Sequence, residues 1–249
     1  MKLFNYKAIL GAVFILSGLF VQAQDVCTIK GIIKNDSLRF SQKKLEKIYL
    51  FSQDEYNRFN KVDSTTLKDT KFTFTRQLKK NEPILLYFIG GFDNGAVPVC
   101  VEKGTVNVVV KKAAYPKGAK VWGTVNNDLY TEYNKFALEC SIEQTEKIQP
   151  LIKKNGEKWA DSEEGWKVRK KIGASALITC NEKRLKFLLE HNDSPLAPLL
   201  MEREIAYMLT PLYAEKLLNS ISPKLKNHPY YRSFSNYVKA LELKVGSEI

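Results

Sequence analysis

The sequence is poor in the residues that most often carry chemistry. Four cysteines are present but none lies in a C-x-x-C pair, which excludes a thioredoxin-type redox centre within these residues. The two histidines, His191 and His228, and the wide spacing of the cysteines argue against zinc. No G-x-S-x-G elbow occurs, so an α/β-hydrolase nucleophile is excluded as well. There is no internal repeat and no low-complexity tract. Beyond Ala8 to Val21, no apolar run approaches the length of a membrane-spanning helix. The expectation is a protein with no catalytic residue, no cofactor, no metal and no span in its mature chain.

What the N-terminus does contain is an export pattern. Lys2 and Lys7 precede the uncharged stretch Ala8–Val21, and Val21-Gln22-Ala23 is a small-residue cleavage signal. Residues 1–23 therefore read as a secretory signal peptide cut after Ala23, with an uncleaved anchor as the alternative. Gln24-Asp25-Val26 before Cys27 is not the small-apolar box of a lipoprotein. The expected location is the periplasm or cell envelope, where disulfides can persist.

Charge divides the chain. Residues 24–125 hold 18 basic and 10 acidic side chains, whereas 126–249 hold 19 and 17. A basic half can meet an anionic envelope ligand, or it can simply be a solvated lysine-rich surface. Export argues against nucleic acid as a partner.

The hydrophobic period changes at the same place. From Val26 to Gly123 apolar and polar residues alternate in short runs such as "VCTIKGIIK", "KIYLFS", "KFTFTRQL" and "VPVCVEKGTVNVVVKK". Gly31 marks a bulge or a close approach. Asp69-Thr70 sits where a turn is needed, and "PILLYFI" is apolar enough for a strand buried on both faces. From Asn126 the spacing is helical, with Leu129, Tyr133, Phe136, Ala137 and Cys140 on one face. Further helices are expected after Ser162, after Ser194-Pro195, after Thr210-Pro211 and from Pro229 to Lys244. The predicted fold class is α+β: an antiparallel β-sandwich-like domain at 24–125, then an all-helical domain at 126–245.

Few residues stand out as site candidates. Cys27, Cys100, Cys140 and Cys180 allow three pairings. Cys27–Cys100 and Cys140–Cys180 respect the boundary, and four buried free thiols fit equally well. "YPKGAKVW" interleaves Tyr115, Lys117, Lys120 and Trp122, the composition of a ligand surface. "HPYYRSFSNY" is similar, but Tyr231, Phe234 and Val238 fall at helical spacing and fit core packing better. His191, Asp193 and Ser194 are explained by a helix end and the next helix start, not by a triad. Glu163/Glu164 and Glu202/Glu204 are too close in sequence to face each other on a helix.

The order of "CTIKGIIK", "KIYLF", "DSTTLKDTKFTFT", "VEKGTVNVVV", a "WGT" strand, "LEHNDSPLAPLL" and "HPYYRSFSNYVKAL" resembles one family. It is the domain of unknown function that precedes thioredoxin-like domains in envelope thiol–disulfide oxidoreductases of the TlpA/ResA kind. The resemblance implies a non-catalytic docking or binding module, a thioredoxin-like domain or a second copy as partner, and a linker-like tail at 246–249. It also implies either a standalone front domain or a truncated relative. The alternative function is an accessory or degenerate member of a thiol–disulfide system, acting with a separate thioredoxin-like protein.

Overall fold

A computed structural model of the chain describes residues 25–34, 39–40, 43–44, 46–54, 58–92, 95–111 and 118–246. The expected signal segment, Tyr115, Lys117 and most of the tail lie outside the described residues. Ten strands come first: β1 (Val26–Ile33), β2 (Arg39–Phe40), β3 (Lys43–Lys44), β4 (Lys47–Gln53), β5 (Phe59–Thr66), β6 (Lys71–Gln77), β7 (Leu85–Gly90), β8 (Val97–Val101), β9 (Gly104–Val110) and β10 (Ala119–Trp122). Helices follow: α1 (Val125–Asn155), α2 (Glu157–Ala160), α3 (Glu163–Glu190), α4 (Leu196–Leu200), α5 (Pro211–Ser220) and α6 (Pro229–Gly246). The α+β arrangement is as expected. The short strands β2 and β3, the short helix α2 and a π-helical turn, Met201–Ile205, that extends α4 were not expected.

Two four-stranded sheets make the sandwich, in the orders β10-β9-β1-β6 and β5-β4-β7-β8. The second sheet is antiparallel throughout. The first is mixed, because β1 and β9 run parallel. The whole of the second sheet is inserted between them in sequence, and that long crossover is what a parallel pair requires. Alternation sends Cys27, Ile29 and Ile33 of β1 inward, with Phe72 and Phe74 of β6 and Val106, Val108 and Val110 of β9. Ile48, Leu50, Ile89, Val97 and Val99 meet them from the second sheet. Gly31 is a close approach: the Phe72 ring occupies the space a β-carbon would need.

The chain passes from the second sheet to the first through Lys68-Asp69-Thr70-Lys71. Lys68 and Lys71 exchange backbone hydrogen bonds of 2.9 and 2.7 Å. Asp69 and Thr70 have φ of 45° and 68°. Two consecutive positive φ values form the tight hairpin turn whose twist suits β-strands.

β7 and β8 are buried on both sides. Their other face, with Leu86 and Cys100, enters a second core with Tyr133, Leu188, Leu196, Met201 and Phe234. The apolar run around Leu85–Ile89 follows from this double burial. The joint between sheet and helices is polar. Glu102, just after β8, is 7% exposed. Its carboxylate accepts from the Thr124 hydroxyl at 2.6 Å, the Asn126 backbone N–H at 2.8 Å, the Asn126 side-chain amide at 2.7 Å and the Asn127 N–H at 3.3 Å. It thus caps α1, whose Thr124 makes no side-chain cap of its own. Asn127 pairs with the open edge of β8, accepting the Cys100 N–H at 2.8 Å and donating to the Cys100 carbonyl at 2.9 Å. Ser194 donates to Asn126 at 2.8 Å and accepts the Leu196 N–H at 3.2 Å, so α4 is tied to the same knot.

α1 and α3 form a long antiparallel pair joined by a disulfide between Cys140 and Cys180, with α-carbons 5.9 Å apart. Beyond it the pair becomes an arm. The buried residues of α1 are Asn126, Asn127, Tyr133 and Asn134, all on the core side of Cys140. Fifteen residues of α1 extend past that point, about 22 Å at the helical rise. Ser162 caps α3 by accepting the Gly165 N–H at 3.1 Å.

Glu102→Ala should lower the unfolding free energy by about 3 kcal/mol, because it strands several buried donors at once. Glu102→Gln should cost less, and urea midpoints at constant slope would compare the two. Thr70→Gly should stabilise by about 1 kcal/mol, since a β-branched residue at positive φ is replaced by the residue that adopts it freely. An unchanged or lower midpoint would refute that reading of the turn.

Candidate binding surface on the outer sheet

The inward set of the first sheet fixes the outward set. Thr28, Lys30 and Ile32 of β1 face out, with Lys71, Thr73, Thr75 and Gln77 of β6, Thr105, Asn107 and Val109 of β9, and Lys120 and Trp122 of β10. None of these is acidic. Register arranges the central ones in two cross-strand rows. Trp122, Asn107, Lys30 and Thr73 form one; Lys120, Val109, Ile32 and Lys71 form the other. At the strand spacing each row spans about 14 Å. A shallow hollow of about 320 Å³ lies between them, walled by Trp122, Val109 and Ile32 and edged by Lys30, Lys71, Asn107 and Thr73.

Trp122 and Ile32 are each 41% exposed. An indole left this open beside lysines and amides offers a flat apolar plane with donors at its rim. Gly123 follows with φ 109°, and a β-carbon there would crowd the Thr105 carbonyl and the Asn107 amide. Its backbone N–H donates to Asp128 at 3.0 Å. The strand can therefore end immediately after the tryptophan and turn into α1.

Of the residues singled out in the sequence, Lys120 and Trp122 share this face. The neighbours that complete it, Lys30, Lys71, Thr73 and Asn107, come from strands distant in sequence. The alternation of "CTIKGIIK" and "KFTFT" marks Lys30 and Thr73 as outward, but only the parallel pairing of β1 with β9 sets them beside Trp122.

The cysteines are placed away from this surface. Cys27 and Cys100 are free and buried, and burial pushes both thiols above their ordinary range. Neither has the lowered pKa of a nucleophile. The His228 imidazole contacts the Ile84 carbonyl at 3.2 Å and accepts the Tyr230 N–H at 3.2 Å, and burial pulls its pKa down. The His191 ring lies tilted against Phe187 with ring centres 4.4 Å apart. Phe234 is fully buried, so the aromatic stretch of α6 is core. Among the described residues no cluster of three or more His, Cys, Asp or Glu is placed to hold a metal, and no helix is long and apolar enough to cross a membrane.

Residues 27–130 match the family model described as Domain of unknown function (DUF4369). The matched segment contains the sandwich, the outer face and the start of α1, including Asn126 and Asn127 with their bonds to Glu102 and Cys100. No curated protein and no solved structure matches the chain.

Thiol titration tests the cysteine assignments. The native protein should be unreactive to an aromatic disulfide reagent; denaturation without reductant should release two thiols per chain, Cys27 and Cys100. Release of all four, or ready reaction in the native state, would contradict the structure.

Proposed function

We propose that this is an exported envelope protein without catalytic chemistry of its own, whose β half binds an anionic polymer, in the first place an acidic glycan. The observation that carries this is the outer face of the first sheet. An exposed Trp122 shares it with Lys30, Lys71 and Lys120, and no outward strand position there is acidic. A pyranose ring stacks its apolar side on an indole, while Asn107 and Thr73 suit hydroxyl groups and the lysines suit carboxylates. Export is supported by the three-part N-terminal pattern and by the Cys140–Cys180 disulfide, since disulfides persist in oxidising compartments.

The resemblance to the front domain of envelope oxidoreductases suggests a thioredoxin-like protein as partner. The second reading, an accessory to a thiol–disulfide system, has one observation in its favour. The cross-link joins a half-buried Cys140 to Cys180, which gives a separate dithiol protein one sulfur to approach. The buried thiols Cys27 and Cys100 do not favour it. Insulin reduction by the isolated chain, abolished by Cys→Ser changes, would decide for the second reading.

For the first, calorimetric titration with polygalacturonate at low salt should show binding, and neutral dextran should show none. Trp122→Ala should weaken binding about tenfold, and Lys30→Glu with Lys71→Glu should weaken it further and flatten its salt dependence. Equal binding of both polymers, or an unaffected Trp122→Ala variant, would rule the reading out.

A further inference from the structure

The outer face of the first sheet changes in character along its strands. Outward side chains recur at every second residue, so its cross-strand rows lie about 7 Å apart. Before the Trp122 row comes a row of threonines, Thr105, Thr28 and Thr75, with no charge. The Trp122 row holds one lysine, Lys30, and the next holds two, Lys71 and Lys120. Positive charge therefore accumulates in one direction along β1.

A further row lies just beyond the strand ends. Ile33 and Val110 are register partners and fully buried. The residues that follow them, Lys34 and Lys111, therefore face out and stand next to each other. The ladder continues this far: the Lys34 N–H donates to the Val110 carbonyl at 2.8 Å, and the Lys111 N–H donates to the Gly118 carbonyl at 2.6 Å. Both side chains are exposed.

Like charges on neighbouring strands repel and destabilise a sheet. Among the described residues neither lysine has an ion pair. Asp69, in the turn before β6, lies at this end of the sheet and pairs with neither. One end of the face thus carries an unrelieved repulsion, and the other end is neutral. A polyanion relieves it; a neutral ligand does not. Asn107, level with Trp122, is four residues from Lys111, about 13 Å along the strand. The hollow walled by Trp122, Val109 and Ile32 lies on the way between them.

Resting on the reading of this face as a glycan site, we infer that the acidic chain lies lengthwise along the β1–β9 pair. One sugar stacks on Trp122, and carboxylates further along the chain reach a basic end made by Lys34 and Lys111. The site therefore selects long acidic chains over short ones, and these two lysines read the length. A chain laid across the strands, along a row, would reach neither of them.

Trigalacturonic and heptagalacturonic acids, titrated by calorimetry at low salt, separate the two orientations. The wild-type protein should bind the longer acid about tenfold more tightly, the usual worth of one hydrogen bond between charged groups. With Lys34→Gln and Lys111→Gln together, that preference should shrink to the small advantage a longer chain has from its extra registers. Lys34→Arg with Lys111→Arg keeps the charge and should keep the preference. Trp122→Ala should weaken both acids by the same factor. Without ligand, the Lys34→Gln, Lys111→Gln protein should melt higher than wild type at low salt, because the repulsion is gone. The same melts establish that each variant is folded. If neither acid binds, the glycan site itself fails and the inference with it. The inference alone is overturned, and the glycan site stands, if both acids bind through Trp122 with equal affinity. An undiminished length preference in the folded Lys34→Gln, Lys111→Gln protein, or an equal or lower melting temperature, would overturn it in the same way.

Discussion

A single buried carboxylate organises this molecule. Glu102 is placed by the end of β8 and spends its charge on the first N–H groups of α1, the positive end of that helix's dipole. Around it, Asn127 closes the open edge of β8, and Asn126 reaches Ser194 at the start of α4. Three elements from three parts of the chain are thereby set in one register. Apolar packing between the second sheet and the helices is non-directional and would tolerate sliding. Directional bonds to a buried charge do not, because any displacement leaves groups without partners in a place water cannot easily reach.

The proposed glycan surface depends on that fixing. Trp122 lies two residues before Thr124, which donates to Glu102. The outer face is therefore anchored through the same short segment that begins α1. On the far side, α4 and α6 pack over the outer face of β7. The Tyr230 bond to the Leu86 backbone ties α6 to that strand. A sandwich covered by helices on one side and open on the other needs its layers locked, and the polar knot supplies the lock.

Much of this was legible in the chain itself. Alternation in "VCTIKGIIK" and "KFTFTRQL" gives strands with the correct inward residues, and Asp69-Thr70 falls on the tight turn. The cap at Ser162, the helix start at Thr210-Pro211 and the helix from Pro229 follow from local chemistry, although the Thr210 side chain makes no cap bond. Strand order did not follow from it. A period of two says which way Lys30 points but not which strand lies next to it, so the basic rows around Trp122 emerge only from the fold. The pairing of Cys140 with Cys180 was one of several open choices, because connectivity depends on how helices meet. The role of Glu102 had no local signal at all. It acts on residues about twenty-four positions away, and its sequence neighbours Val101 and Lys103 describe only a turn between two strands. The π turn was equally hidden, since "MEREI" reads as ordinary helix.

The cross-link between α1 and α3 sits partway along the hairpin, not at its end. The distal portion is held by the two helices on each other, which bury Gly165 and Ala176 of α3, and by short-range ion pairs such as Glu143 with Lys147. A covalent tie at the root acts as a firebreak: loss of helix that starts at the tip must pass the sulfurs before it reaches the knot. A projection built this way can be perturbed at its far end while the body that bears it is spared.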